Sequence, residues 1–420
     1  MENCIVVVGL GYIGLPTAIV LANSGWKVIG VDVSDRTLEF VSAGKLPFVE
    51  EGLELALAGA VSEGRLAAQK EVPHAGIYIV AVPSPVNADH QLDYSYIDAA
   101  TDSIIPQLRG GELIVLESTV SPGTTDRMAD RVFAARPELR ENPDTGSPGL
   151  LFAHAPERVL PGRILVEMRS NDRIIGGTTP EATERAAEIY RSFTSGEVVL
   201  TDARTAEMSK LAENAFRDVN IAYANELSLI CDELGIDVWE LIELANRHPR
   251  VNILNPGPGV GGHCIAVDPW FIVSATPTAR LIKQAREVND SKPHWVISKI
   301  DDAVMACSDN PTIALLGLAF KPNIDDLRES PAMVIAHDVA QRYANNRIMI
   351  VEPNISALPE SLATYPNVEF TSVDKAISTA DVVVLLVSHD EFGGMNLRTD
   401  SDTIIVDTTG LWRDPTGSVA

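Results

Sequence analysis

Short apolar runs alternate with a helix-like segment at the start of the chain. The runs Ile5–Val8, Val28–Val31, Ile77–Val82 and Leu113–Leu116 are rich in β-branched residues and predict buried strands, while Tyr12–Ser24 has helical spacing. Strands that alternate with helices form parallel sheets, because each crossover returns the chain to the same edge. Residues 1–200 are therefore predicted to form a domain built on a parallel sheet.

The pattern changes in the middle of the chain and then returns. Thr205–Leu234 contains neither Pro nor Gly and stops at Gly235, as a long helix with a glycine cap would. Helical spacing continues through Trp239–Asn246 and Ala279–Asn289, so residues 201–300 are predicted to form a helical domain. Four further apolar runs predict a second parallel sheet in residues 301–420: Thr312–Leu316, Arg347–Val351, Val382–Val387 and Thr403–Val406. The turn-rich segment Asn142–Gly149 predicts a surface loop.

Composition excludes several classes of protein. The formal net charge of −25 disfavours nucleic acid and anionic membranes as partners, and a phosphate-bearing ligand would need local cations or helix N-termini. The start of the chain does not resemble a signal peptide, and no apolar stretch is long enough to span a membrane. The four cysteines are scattered without a C-x-x-C pair, which argues against a disulfide framework and against a structural zinc site. No bound metal is expected, and the cytoplasm is the expected compartment.

A glycine motif follows the first predicted strand. Gly9, Gly11 and Gly14 form G-x-G-x-x-G at the start of the predicted helix, where N–H groups and the helix dipole favour a pyrophosphate. Asp32 ends the next strand, and its carboxylate would accept ribose hydroxyls and repel a 2′-phosphate. The motif predicts NAD as the cofactor. The alternative is a tight turn that binds no ligand.

Four polar clusters are candidates for the chemistry. Cys264 follows two glycines and precedes Asp268 by four residues, so a helical segment would place both side chains on one face; the glycines would allow a ligand to approach closely. The alternative is a cysteine that is only a small buried apolar residue. The other clusters are Lys210 with Asn214, Glu157 after a predicted strand, and Phe320-Lys321-Pro322 with Asp325, Asp326, Arg328 and Glu329. For the first and last of these, the alternative is an exposed charged surface.

Together the clusters resemble the UDP-sugar dehydrogenase family over nearly the whole chain. The glycine motif, the Pro-Glu-Arg segment at Glu157, the Lys210/Asn214 pair, the Gly-Gly-His-Cys segment and the Ala-Phe-Lys-Pro loop stand in the family's order and spacing. The resemblance implies an α/β fold of two Rossmann-like parallel-sheet domains joined by a central helical dimerisation domain with a long connecting helix. It also implies a UDP-sugar as substrate, a homodimer or larger homo-oligomer, and a role in nucleotide-sugar and glycan biosynthesis.

The reaction that the resemblance implies is a four-electron oxidation of a primary alcohol to a carboxylate with NAD, through a thioester on Cys264. Lys210 and Asn214 would stabilise the oxyanion, and Asp268 and Glu157 would act in hydrolysis. The implied cofactor contacts are Gly9, Gly11, Tyr12, Ile13, Gly14, Asp32, Ser84, Thr119 and Arg328. The implied substrate contacts are Arg158, Val159, Lys210, Asn214, Arg217, His248, Arg250, Gly261, Phe320 and Lys321, with Arg250 reaching a neighbouring subunit.

The choice of sugar depends on a closer resemblance. Four segments resemble the members that oxidise UDP-N-acetyl-D-mannosamine: ERVLPG, RTAEMSKLAENAFRDVNIAYANELSLI, ANRHPRVNILNPGPGVGGHCIAVDPWFIV and GLAFKPNIDDLRESPAM. UDP-N-acetylglucosamine and UDP-glucose are the alternatives. The chain departs from close relatives at Thr409, where they carry a lysine that contacts the substrate.

Two other classes of protein share part of this pattern. A two-electron hydroxyacid dehydrogenase also pairs a dinucleotide-binding domain with Lys and Asn on a helix, but it needs neither Cys264 nor a third domain. A regulator that only binds NAD or a nucleotide sugar would keep the glycine motif without the group Cys264, Lys210, Asn214 and Asp268.

Overall fold

The protein forms two compact units. The computed structural model describes residues 4–48, 50–87, 89–140, 149–159, 162–262, 264–307, 309–395 and 403–413. Unit 1 comprises Met1–Glu213 and Trp270–Pro277, and unit 2 comprises Asn214–Pro269 and Thr278–Ala420. The division of the chain into three domains at residues 200 and 300 stays a prediction.

Unit 1 is built on one large sheet. Its strands are β1 (Cys4–Val8), β2 (Lys27–Val31), β3 (Leu66–Gln69), β4 (Ile77–Val80), β5 (Leu113–Leu116), β6 (Leu151–His154), β7 (Arg173–Gly177) and β8 (Val198–Asp202). They lie in the order β3-β2-β1-β4-β5-β6-β7-β8, and neighbours run parallel except for β6 and β7, which are antiparallel. The topology reverses beside β1, which pairs with both β2 and β4, and this is where parallel α/β sheets bind nucleotides.

Helices surround this sheet and continue into unit 2. They are α1 (Gly14–Asn23), α2 (Asp35–Ser42), α3 (Leu53–Ser62), α4 (Ser95–Ile104), α5 (Thr124–Ala135), α6 (Ile164–Ser170), α7 (Pro180–Arg191), α8 (Ala203–Leu234), α9 (Val238–Asn246), α10 (Asp268–Ala275), α11 (Arg280–Met305), α12 (Pro331–Arg342), α13 (Glu360–Ala363) and α14 (Val373–Thr379). Gly235 follows α8 with φ +66°, so the predicted glycine cap is confirmed. No helix in the part of the chain that the structure describes is long and apolar enough to span a membrane.

Unit 2 contains a smaller sheet with the same internal plan. Its strands are β9 (Ile313–Leu316), β10 (Ile348–Val351), β11 (Val368–Phe370), β12 (Val382–Leu385) and β13 (Ile404–Asp407). All neighbours are parallel in the order β11-β10-β9-β12-β13, which matches β3-β2-β1-β4-β5 of unit 1. The central strands β9, β10 and β12 are buried throughout, which explains why their sequences are continuous apolar runs without alternation.

The predicted fold class is confirmed: the protein is α/β, with two mainly parallel sheets and helices between them in sequence. The predicted strands and helices exist, most with ends shifted by a few residues; α11 continues to Met305, well past the predicted end at Asn289. The antiparallel pairing of β6 with β7 was not predicted. Of the predicted surface loop Asn142–Gly149, residues 142–148 lie outside the described residues.

Candidate active site

The glycine motif forms a tight turn between β1 and α1. Gly9 has φ +95°, and a Cβ there would lie 2.4 Å from the carbonyl oxygen of Ala81. A Cβ on Gly14 would lie 2.0 Å from the carbonyl oxygen of Gly9, whereas a Cβ on Gly11 would meet nothing within 4 Å. The first and third glycines therefore serve packing, and the second leaves open space. This cradle fits the pyrophosphate of a dinucleotide.

The start of α1 and the end of β2 complete the cofactor side. No side chain caps α1 at Ile13, and the helix dipole there favours an anion. Within the first turn, Leu15 N donates to the carbonyl of Gly11 at 3.1 Å and Pro16 has no N–H, so an anion would bind at the very start of the helix. Asp32 directly follows β2; its Oδ2 accepts from Leu10 N at 2.8 Å and its Oδ1 from Ser34 N at 2.8 Å. Tyr12 donates from its hydroxyl to Glu50 at 2.8 Å. The two bonds from Leu10 N and Ser34 N hold the Asp32 carboxylate where a ribose would bind.

Two further cofactor candidates follow neighbouring strands. Ser84 lies in the segment after β4, and Thr119 lies three residues after β5; both are partly buried. The hydroxyl of Ser118 donates to the carbonyl of Val82 at 2.7 Å and ties the two segments together. The carboxyl ends of β4 and β5 are adjacent because the strands pair in parallel, so both candidates stand at the ligand-binding edge.

Glu157 is held in a buried ion pair within unit 1. Arg173 donates from Nη1 to Glu157 Oε2 at 2.5 Å, and Arg158 N donates to Glu157 Oε1 at 2.7 Å. Lys210 Nζ donates to the backbone carbonyl of Glu157 at 2.9 Å. The side chain of Arg158 pairs with Glu213 at 2.6 Å. The Glu157 carboxylate therefore already has a strong partner, which sequence reasoning did not foresee.

A second buried carboxylate, Glu117, lies near this pair. Tyr190 donates to Glu117 Oε1 at 2.6 Å and Thr17 to Glu117 Oε2 at 3.0 Å. Burial raises the pKa of Glu117 to about 7; the charge of Glu157 adds to the rise, while the Tyr190 hydrogen bond and Arg173 lower it. This cluster joins α1, β7 and α7 beneath the strand ends that carry the candidate site.

The raised pKa of Glu117 predicts a pH-dependent stability difference. Between pH 4.5 and 7 the folded protein holds a proton that the unfolded chain has lost, so the free energy of unfolding falls as the pH rises, by about 1.4 kcal/mol per pH unit. Glu117→Gln removes this titration, and its amide can accept from one hydroxyl and donate to the other. Urea unfolding gives the free energy of unfolding of the variant and of the wild type at pH 4.5 and at pH 8. The value for the variant minus the value for the wild type should be about 2–3 kcal/mol higher at pH 8 than at pH 4.5. Glu54→Gln on the exposed face of α3 is the control; a Glu117→Gln difference that does not change with pH would contradict the raised pKa.

Cys264 lies on a turn that leads into α10. Residues 264–267 form the turn, and Asp268 N donates to the carbonyl of Cys264 at 2.8 Å, so the segment makes one helical turn. Cys264 is exposed, which excludes the interpretation of it as a buried apolar residue. Asp268 is buried, and its Oδ2 accepts from Asn214 Nδ2 at 2.5 Å. An exposed thiol thus stands one turn from a positioned carboxylate.

Lys210 and Asn214 are one turn apart on α8. Residues at i and i+4 share a face of a helix. Lys210 binds the Glu157 carbonyl within unit 1, and Asn214 binds Asp268 within unit 2. Neither side chain is a solvated surface group with only water as a partner.

The two glycines before Cys264 pack closely against the rest of unit 2. A Cβ on Gly261 would lie 2.4 Å from the carbonyl oxygen of Glu329, and a Cβ on Gly262 would lie 2.8 Å from the ring of Phe320. Gly262 also has φ +84°, which favours glycine. These glycines therefore let the Cys264 segment touch the Phe320 loop, a packing role that the sequence did not reveal; their role in letting a ligand approach stays a prediction.

The Phe320 loop follows β9 in unit 2. Phe320 and Lys321 are partly buried, and Phe320 N donates to the carbonyl of Asp326 at 3.1 Å. The guanidinium of Arg328 pairs with the Asp326 carboxylate at 2.6 Å. The loop is thus internally bonded, with one cation at Lys321 and a paired cation at Arg328.

The remaining substrate candidates are spread over both units. Val159 packs against the Val20, Ile164 and Met168 cluster of unit 1. Arg217 and Arg250 are exposed in unit 2, and His248 Nδ1 accepts from Arg250 N at 3.3 Å.

Thr409, at the place where close relatives carry a lysine, is hydrogen-bonded to a neighbouring residue of its own segment. Its hydroxyl donates to Asp407 Oδ1 at 3.1 Å, and its N–H donates to the same oxygen at 2.9 Å.

Among the described residues, no group of three or more His, Cys, Asp or Glu side chains could hold a metal ion.

Known proteins resemble the chain along its length. The UDP-glucose/GDP-mannose dehydrogenase family matches in three parts: its NAD binding domain at residues 3–194, its central domain at 204–291 and its UDP binding domain at 314–414. An NDP-N-acetyl-D-galactosaminuronic acid dehydrogenase of Ralstonia nicotianae is 51% identical over 97% of this chain and 95% of its own. A UDP-N-acetyl-D-mannosamine dehydrogenase of Salmonella typhi is also 51% identical, over 97% and 98%. The solved UDP-D-ManNAc dehydrogenase of Pyrococcus horikoshii has a TM-score of 0.82 at 36% identity, covering 98% of this chain and 96% of that one.

Proposed function

Because the chain belongs to the UDP-glucose/GDP-mannose dehydrogenase family and is an NAD-dependent UDP-sugar dehydrogenase, we propose that it oxidises the C6 alcohol of UDP-N-acetyl-D-mannosamine to the carboxylate. One observation carries the proposal: Cys264 is exposed on a turn whose next residues place the buried carboxylate of Asp268. A dehydrogenase that stops at the aldehyde has no use for such a thiol.

Cys264 divides the oxidation into two stages. Two successive molecules of NAD⁺, each leaving as NADH, would supply the hydride acceptors for the two oxidations. The thiolate of Cys264 adds to the aldehyde carbon and gives a thiohemiacetal, which holds the aldehyde on the protein. Oxidation of that adduct gives a thioester, and water then attacks its carbonyl carbon, so that the carboxylate leaves and the thiol is regenerated.

The neighbouring polar groups have separate tasks in this scheme. Lys210 is the cation that stabilises the oxyanion of the tetrahedral species, and Asn214 is a second donor on the same helix face. Asp268 orients the attacking water or takes its proton; its bond from Asn214 keeps its carboxylate in one place. Glu157 acts mainly through position, because Arg173 already neutralises its charge and its carbonyl anchors Lys210.

The identity of the sugar has two candidates. The Salmonella relative supports UDP-N-acetyl-D-mannosamine, and the Ralstonia relative, at equal identity, supports the N-acetyl-D-galactosamine nucleotide. The test is to measure NADH release with four nucleotide sugars at equal concentration. The panel contains the two candidates together with UDP-N-acetylglucosamine and UDP-glucose. The highest kcat/KM should belong to UDP-N-acetyl-D-mannosamine; a preference for any other sugar would replace it.

The charge of Asp32 predicts the choice of dinucleotide. NADP⁺ should be used poorly, because its 2′-phosphate would face the carboxylate that Leu10 and Ser34 hold in place. Asp32→Asn keeps the shape and removes the charge, so the ratio of kcat/KM for NADP⁺ to that for NAD⁺ should rise about tenfold, which corresponds to about 1.4 kcal/mol. Asp130→Asn, at an exposed position of α5, is the control. Equal use of both dinucleotides by the wild type would refute the role of Asp32.

A homodimer is part of the proposal. Phe216, Tyr223 and Ile230 are exposed on α8 at intervals of seven residues, and Leu234 extends the same apolar stripe. A repeat of seven keeps such side chains on one side of a helix, as helix pairing requires. Arg250, exposed in the loop after α9, would then reach the substrate of the second subunit.

We place the enzyme in the cytoplasm.

A further inference from the structure

A buried pair, Glu352 and His389, lies directly under the loop that begins at Gly317 and carries Phe320 and Lys321. Glu352 follows β10 and is 2% exposed, and His389 follows β12 and is fully buried. Since β10 and β12 flank β9 in the sheet, the two side chains meet across the end of the strand from which the loop springs.

The pair is bonded to the loop backbone at three points. Glu352 Oε2 accepts from Leu318 N at 2.7 Å, from Ala319 N at 3.1 Å and from His389 Nε2 at 3.0 Å. His389 Nδ1 accepts from Asn323 N at 2.9 Å, which assigns the ring proton to Nε2. The pair therefore fixes both the start of the loop and its turn at Asn323.

Asn323 is a position where the loop needs such support. Its φ of +62° lies in the left-handed region, which costs energy for a residue other than glycine. Its own side chain accepts from Asp390 N at 3.0 Å, next to His389. Without these bonds, the backbone after Lys321 would be free to adopt the commoner negative φ.

Comparison with unit 1 separates this pair from a ligand-binding carboxylate. Gly9 N donates to Val31 O, and Gly317 N donates to Val351 O, each at 2.8 Å, so Glu352 occupies the place that Asp32 has after β2. Asp32 is only partly buried, whereas Glu352 turns inward to His389. Burial raises the pKa of Glu352, but the hydrogen bonds from His389 and the backbone outweigh it and lower the pKa to about 2. The Glu352 carboxylate therefore stays ionised, and it accepts hydrogen bonds from His389 and from the backbone of the loop.

We propose that Glu352 and His389 are positioning residues that hold the segment Phe320–Asn323 in its binding conformation and so set the affinity for the uridine diphosphate end of the substrate, without touching it. The proposal rests on the proposed function, which assigns that end to Phe320 and Lys321.

Two substitutions at His389 separate its bond to Glu352 from the bonds at Nδ1, where Asn354 Nδ2 also donates at 3.0 Å. In His389→Asn the amide oxygen stands near Nδ1 and still accepts from Asn323, but the donor to Glu352 is lost. In His389→Gln the amide nitrogen stands near Nε2 and still donates to Glu352, but the acceptor for Asn323 is lost. Both replace a buried ring by a smaller amide, so each is the other's control for lost packing.

The measurement is the Kd of UDP by calorimetry, with the Kd of NAD⁺ and the unfolding midpoint taken in parallel. We expect His389→Gln to raise the Kd of UDP about tenfold and His389→Asn about threefold or less, with NAD⁺ binding unchanged. Asn323→Pro, at an exposed loop position, removes the donor and fixes φ near −65°, and its Kd for UDP should match that of His389→Gln.

Equal losses in both His389 variants that follow their unfolding midpoints, or unchanged UDP binding in Asn323→Pro, would overturn the positioning role. Failure of the wild type itself to bind UDP would instead refute the proposed function, so the two failures are distinguishable.

Discussion

Replacing Cys264 by alanine is expected to abolish steady-state turnover. Without the thiol, the aldehyde formed in the first oxidation has no nucleophile to hold it and to prepare it for the second. The wild type should release two NADH per sugar. Cys264→Ser keeps an oxygen nucleophile that is weaker, since its pKa lies far above that of a thiol, and an ester to the sugar should accumulate on the protein.

The measurement combines NADH stoichiometry with intact-protein mass spectrometry. Cys307→Ala, at a partly buried cysteine elsewhere in unit 2, is the matched control and should turn over normally. One NADH per sugar from the wild type, or normal turnover by Cys264→Ala, would exclude the thioester route. The two-electron hydroxyacid type of reaction would then describe the enzyme better.

Lys210→Ala should lower kcat by roughly 10²–10³, the usual loss when one oxyanion donor is removed. In the structure its ammonium binds the carbonyl of Glu157, so the substitution removes both a cation and the contact that joins α8 to the Glu157 segment. If the cation acts on the tetrahedral species, kcat should fall more than KM rises.

Lys283→Ala provides the comparison for Lys210. Lys283 is an exposed lysine on α11 that pairs with Glu287 at 3.7 Å, and its loss should leave kcat unchanged. Steady-state kinetics with the preferred sugar is the test. A Lys210→Ala variant that loses affinity but keeps its kcat would show that the lysine only binds substrate.

The sequence predicted what local pattern controls. Continuous apolar runs identified β9, β10 and β12 because those strands are buried on both faces, and the absence of Pro and Gly identified α8. The antiparallel pairing of β6 with β7 was missed because strand direction depends on where the chain returns, which no short pattern records.

The site residues show the same difference between local signals, which the sequence contains, and long-range contacts, which it does not. The glycine motif and Asp32 are close in sequence and were found. Arg173 was missed because its partner Glu157 is brought to it only by folding, and nothing in the sequence around Arg173 marks it as buried. Glu352 had a usable signal: it follows the second strand of its sheet, as Asp32 does. The inward turn of its side chain toward His389, 37 residues away, could not be read from sequence.

The discontinuity of unit 1 has a consequence for the order of folding during synthesis. The unit is incomplete at Glu213, because Trp270–Pro277 belongs to it and Phe271 is buried there, with its carbonyl accepting from Ser121. The ribosome must first add residues 214–277, which takes roughly 3–13 s at about 5–20 residues per second. Until then the Ser121 segment lacks the hydrogen bond that the Phe271 carbonyl accepts, so unit 1 can complete its folding only after this interval.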